Sequence, residues 1–288
     1  MIATAASLAV LCLIASGLLD LVFKLYATKP RSRGMLIFGI GCVWAVLQLG
    51  YMSFSSSPIS IDNITLGYGL TAAIFVTVSN ILLVECMGHL PISMASTIYR
   101  LNTVPLVIIA VLFLGEDIDL WRALGIICGL ITVFLLYQPT HAREQTYSHY
   151  ARFVVFIVLA SLIRALYGVA TKAGVSAGGD PNTMMLLAAI GWCIGGVGYA
   201  RFREHRVVLN RAKLKYIAIA GFLVFSIVWL LTKALTLSDA SVVIPIANMG
   251  FVAAFLFSIG FRMETINPRK LGAIALAIIS IALLTGSI

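Results

Sequence analysis

The sequence predicts an all-α integral membrane protein of ten transmembrane helices, arranged as two inverted five-helix repeats. Composition, the spacing of apolar runs and a likeness between the two halves predict it. Of 288 residues, 61% are hydrophobic and 11% charged, and the mean hydropathy is +1.04. A soluble domain carries roughly 25% charged residues, and this apolar excess is more than one globular core can hide. The net charge of +9 would suggest a nucleic-acid partner in a soluble protein. Here the basic residues fall in loops between apolar runs, so none is expected and membrane lipid is the surrounding medium.

Ten apolar runs lie at 2–26, 34–55, 65–88, 92–114, 121–138, 151–173, 182–201, 214–236, 240–261 and 269–287. Each approaches the ~20 residues needed to span a bilayer as a helix. Strands of a barrel would be half as long and would alternate polar with apolar. The first run lacks a charged leader, which favours a span over a cleaved signal. The connection at 138–152 divides the chain into a first repeat at 1–138, a linker at 139–150 and a second repeat at 151–288.

The halves match under a shift of 148, which sets Ser93 on Ser241, Arg100 on Asn248 and Glu116 on Glu264; one residue of slack brings Gly125 onto Gly272. Five spans per repeat is odd, so the second copy enters from the opposite side. Inverted repeats serve alternating access. Fifteen Lys and Arg residues fall at one set of loops and three at the other. The positive-inside rule puts the first set in the cytoplasm and both termini outside, as in a multi-pass protein of a cell membrane such as the bacterial inner membrane.

The run VPLVIIAVLFLGEDIDLWRALGIICGLITVFLL (104–136) resembles the EamA-type members of the drug/metabolite transporter superfamily. Their repeats end in a Pro, an apolar helix, a Leu-Gly-Glu turn and a Gly-containing last helix. The second copy keeps Glu264 and Gly272 but has Phe-Arg-Met-Glu at the turn. The resemblance covers the whole chain and implies a transporter of two five-helix repeats. It does not name the substrate.

Arg100 stands inside the fourth run, where a charge costs about 2.5–3.5 kcal/mol. Ser93, Ser96, Arg100 and Thr103 share one helical face, and the matching helix carries Ser241, Pro245 and Asn248. Arg164 lies mid-span with Tyr167 beside it, placed to stack on a ligand or a guanidinium. Two guanidiniums in one cavity would receive a carboxylate, phosphate or sulfonate. The structural alternative gives each arginine an acid or free carbonyls, with Glu85 the expected partner of Arg100. Candidate substrate-binding residues are therefore Arg100, Arg164, Tyr99, Asn102, Asn248, Tyr167, Ser96, Trp44, Trp229 and Asn80. Candidate gating or coupling residues are Glu85, Lys233, Asp20 and Lys24. Asp20 and Lys24 are expected to pair at i, i+4, and a buried Glu85 would suit proton coupling.

Asp119 is expected to cap the fifth span, and Asn267-Pro268 to open the tenth. Glu116 is expected to support its turn. Pro105 and Pro245 interrupt their helices. Gly125–Gly129 and Gly191–Gly195 are small-xxx-small pairs suited to helix packing or a dimer face. The five cysteines are expected as free buried thiols. No metal cluster, phosphate loop or catalytic triad is visible, so no cofactor and no enzyme activity is expected. The function expected is secondary transport of a small anionic or zwitterionic metabolite, by a monomer or homodimer. The alternatives are export of amphipathic or cationic compounds and flipping of a lipid-linked substrate.

Overall fold

The computed structural model describes residues 2–105, 120–136, 144–205, 211–237 and 246–284. Within them lie ten helices: α1 Ile2–Ala27, α2 Arg33–Phe54, α3 Asn63–Met87, α4 Ile92–Arg100, α5 Leu120–Leu136, α6 Glu144–Ser176, α7 Pro181–Phe202, α8 Arg211–Leu237, α9 Gly250–Gly260 and α10 Pro268–Leu284. The expected all-helical membrane fold of two inverted repeats stands. Six helices are long and apolar enough to cross a bilayer by themselves.

Helix boundaries follow the side chains that satisfy free backbone donors. Ser32 Oγ accepts from the Met35 amide at the start of α2. Asp62 does the same for Thr65 and α3, and Asp180 for Thr183 and α7. Asn267 Oδ1 accepts from the Arg269 amide, and Pro268 is the first residue of α10, as the Asn-Pro pair predicts. Asp119 and Glu116 lie outside the described residues. α6 begins at Glu144, before its apolar run, because leaving hydrocarbon does not itself end a helix.

The fourth span is broken just before Pro105, where the proline is expected to interrupt it. α4 stops at Arg100, Leu101 and Asn102 form a turn, and helix resumes at Thr103. Pro105 explains the position: its ring excludes a bond to the carbonyl four residues back, which belongs to Leu101. That carbonyl accepts from Val104 instead, at 2.9 Å. In the second repeat the helix breaks at Met249, the counterpart of Leu101. Pro245 lies outside the described residues.

α2 packs against α7, and each also crosses the other repeat's helices α8 and α3; α5 pairs with α10. The α2–α7 contact is backbone on backbone. A Cβ on Gly196 would stand 2.4 Å from the Phe38 amide nitrogen, and one on Gly34 would stand 2.5 Å from that of Ala200. The two small-residue pairs are also used inside the chain. Gly191 and Gly195 receive Ala73 and Thr77 of α3, while Gly129 receives Val104 and Ser280.

Both ends of this frame are tied. At the end carrying the basic loops, Glu204 accepts from Ser32 Oγ and the Arg33 amide. At the opposite end, Thr65 Oγ1 accepts from the Asp180 amide at 2.9 Å, and Thr183 Oγ1 from the Ser60 amide at 3.0 Å. Ser32 and Asp180 correspond under the repeat shift.

A second polar cluster closes the basic end. α4 has no side-chain cap of its own. Glu264, from the α9–α10 loop of the other repeat, accepts from the Ser93 amide at 2.9 Å and from its hydroxyl, and pairs with Lys270 at 2.8 Å. The Lys24 ammonium donates to the Leu90 carbonyl nearby. Burial alone would push the Glu264 carboxyl up, but Lys270 and the two Ser93 bonds outweigh it and hold it below the usual glutamate range.

Two predictions arise here. Gly196→Ala forces two backbones apart and should cost about 1–3 kcal/mol of stability. Gly198→Ala, with open space around it, should cost nothing; thermal melts in detergent compare them. Glu264 is depressed when folded, so its contribution is complete above the ordinary value of 4.5 and is lost as pH falls through the lower folded value. The Glu264 contribution to wild-type stability should therefore be constant above pH ~5 and be lost below it. Glu264→Gln should be less stable at neutral pH and lack that acid-side drop.

Candidate functional site

A cavity of about 570 Å³, counting its open mouth, lies mid-span between the repeats. Its wall draws Ser16, Leu19, Asp20 and Phe23 from α1, Trp44 from α2, Val76, Asn80 and Leu83 from α3, and Tyr99 and Arg100 from α4. The second repeat adds Arg164 and Tyr167 from α6, Trp192 from α7, and Val224, Ile227 and Val228 from α8.

Asp20 is 1% exposed. Ser96 and Arg100 lie one turn apart on α4, so both reach it: Ser96 Oγ donates to Asp20 Oδ2, and Arg100 Nη2 stands 3.6 Å from the same oxygen. Arg100 also sits at the C-terminus of α4, where unpaired carbonyls favour a cation. Its Nε is buried with no hydrogen-bond partner.

These contacts correct two expectations. Asp20 turns to Arg100 and Ser96 and not to Lys24, because it lies one turn deeper, facing α4. Lys24 takes the carbonyl that the turn before α4 leaves free. Glu85 does not meet Arg100 and does not line the cavity. In the last turn of α3 it pairs with Arg33 and accepts from Tyr199 Oη at 3.0 Å, in the closed basic end.

Arg164 lies over the Tyr167 ring, its guanidinium carbon 4.7 Å from the centroid. No acid pairs with it among the described residues. Tyr99 is tied to Ser79 at 3.1 Å, and Asn80 Nδ2 donates to the Val76 carbonyl at 2.8 Å. Trp44 meets Trp192 edge to face, centroids 5.8 Å apart.

The cavity thus gathers Arg100, Arg164, Tyr99, Tyr167, Trp44, Asn80 and Asp20 from the candidates. Ser96 stands behind Asp20. Asn102 and Asn248 fall at the helix breaks and do not line the wall. Trp229 is 38% exposed on the outer side of α8, because Val224, Ile227 and Val228 set that helix's inner face; Lys233 is exposed as well. Ser16 lines the wall without a signal of its own in the sequence, and Trp192 lines it as one of the mid-span residues that could face a cavity, though it is not among the candidates above. The repeat shift holds the signal for both, since it carries Ser16 onto Arg164 and Trp44 onto Trp192.

Among solved structures, one described only as a crystal structure of a protein superposes with a TM-score of 0.67 at 12% identity, covering 96% of each chain. That likeness shows the fold alone. No curated protein matches the chain. The profile of the EamA-like transporter family matches residues 3–138 and 151–286, one copy on each repeat. The chain belongs to the EamA-like transporter family and is a multi-pass membrane transporter of small molecules.

Proposed function

We propose that the chain is a secondary transporter that binds a small anionic or zwitterionic solute in the cavity between its repeats and moves it by alternating access. The charge balance of the wall carries this reading. Two guanidiniums face one carboxylate, which leaves one positive charge unmatched in a low-dielectric site. Arg164 has no acid among the described residues, and Arg100 holds a buried Nε without a partner. An anionic group bridging the two would satisfy donors that the protein does not. A zwitterion could add its cation beside Asp20.

Alternating access is supported by the inverted repeats and by the ties at the basic end. There Glu264 holds the start of α4 to the other repeat, and Lys24 holds α1 to the Leu90 carbonyl just before α4. Lys172, the counterpart of Lys24, is exposed. We read this as the state closed toward the basic side. By the excess of basic loops that side is the cytoplasm, and the termini lie outside.

Thermal-shift screening of a metabolite library should find a carboxylate, phosphate or sulfonate that stabilises the purified protein. Arg164→Gln leaves no buried acid unpaired, so its unliganded melt should match wild type while affinity falls about tenfold or more. Unchanged affinity for the screened anion overturns the anion reading. Arg100→Gln should be unstable, because it strands Asp20; adding Asp20→Asn should restore folding without restoring affinity. Reporters fused to each terminus test orientation: a cytoplasmic signal at both overturns it.

A further inference from the structure

Trp44 and Trp192 occupy corresponding positions on α2 and α7. Both are 2% exposed, both line the cavity, and their rings meet at an interplanar angle of 83°. Neither indole N–H has a hydrogen-bond partner. A buried tryptophan ordinarily places this donor on an acceptor, because an unmade buried bond is unfavourable. Here the exception occurs twice, at positions related by the repeat. α2 and α7 are also the helices held backbone to backbone and capped at their N-termini by Ser32 and Asp180. The two donors therefore sit on the rigid frame.

The arginines differ in this respect. Arg100 corresponds to Asn248, and Arg164 to Ser16. The wall thus combines two charged donors, each present in one repeat only, with a neutral donor present in both. When inverted repeats exchange conformations, Trp44 takes the setting of Trp192 and the reverse. The neutral pair offers the same contact from either side.

We propose that Trp44 and Trp192 form a neutral donor pair that receives a second, uncharged acceptor oxygen of the solute. The substrate class is then a small organic acid carrying a hydroxyl or keto oxygen besides its anionic group. A bare inorganic anion or a plain alkyl carboxylate does not fit it. This rests on the anion reading of the same cavity.

The test is isothermal titration of the full-length protein in detergent with matched probes: propionate against lactate and pyruvate, and glutarate against 2-oxoglutarate. In wild type the oxygen-bearing member of a pair should bind about tenfold tighter than its deoxy mate. In Trp44→Phe/Trp192→Phe that preference should collapse to less than about twofold, whatever the change in affinity for the deoxy acid. 3-Benzothienylalanine at either position removes only the N–H and keeps the bicyclic shape; it should cut the preference even where the double Phe variant folds poorly. Equal binding of both members by wild type overturns the proposal, and so does a preference that survives loss of the N–H groups. Failure of every carboxylate to bind, with Arg164→Gln indistinguishable from wild type, overturns the anion reading and the proposal together.

Discussion

A guanidinium in the middle of a membrane protein must be met by something other than lipid, and the architecture around Arg100 is organised by that need. Asp20 supplies the counter-charge from α1, and Ser96 holds the carboxylate from the same helix that bears the arginine. Pro105 ends α4 at Arg100, so the negative end of the helix falls beside the positive side chain. The arrangement is incomplete. An ion pair at 3.6 Å and a buried Nε without a partner leave the arginine only partly satisfied. A site of this kind tolerates the empty state while favouring an added acceptor.

The frame around the pair is built from different material. α2 and α7 carry few polar groups mid-span and approach closely because Gly34, Gly41 and Gly196 lack side chains. In a bilayer no hydrophobic force separates helix–helix from helix–lipid contact, so close van der Waals packing and hydrogen bonds do the holding. The ties at the ends join helix caps to the other repeat: the Ser32 hydroxyl caps α2 and donates to Glu204, while the Asp180 carboxylate caps α7 and its backbone amide donates to Thr65 Oγ1. Among the described residues, α1 and α4 are tied at the basic end by Lys24 and Glu264.

The apolar runs made the spans legible, because bilayer thickness dictates their length. Arg100 and Arg164 were legible as cavity-facing residues, since a charge in such a run must face a partner or a polar space. Partner choice was not. Asp20 and Lys24 have the spacing of a helix pair, yet the acid lies deep enough to meet another helix while the lysine reaches a free carbonyl. Glu85 had the right charge for Arg100, but α3 delivers it to Arg33 at the helix end. Trp229 read as a cavity aromatic because depth can be taken from sequence; rotation about α8 is set by tertiary packing. Ser16 carried no local signal of its own, and Trp192 only that of a mid-span aromatic. What singles them out is correspondence with Arg164 and Trp44.

That correspondence separates what the repeats share from what they do not. Ser32 and Asp180, Trp44 and Trp192, Val76 and Val224 are matched pairs, and they cap, brace or line the fold. Arg100 and Arg164 face Asn248 and Ser16 instead. A two-fold cavity with matched arginines would gather four guanidiniums around one carboxylate, which the hydrocarbon interior penalises steeply. It would also present identical halves to a solute that has none. An organic anion has a charged end and an uncharged remainder, so a wall that orients it must differ from one repeat to the other where the charge sits. In the proposed alternating-access cycle, a frame alike in both repeats makes both access states reachable with similar energy. On this reading, symmetry serves the movement and its local breach at Arg100 and Arg164 serves recognition.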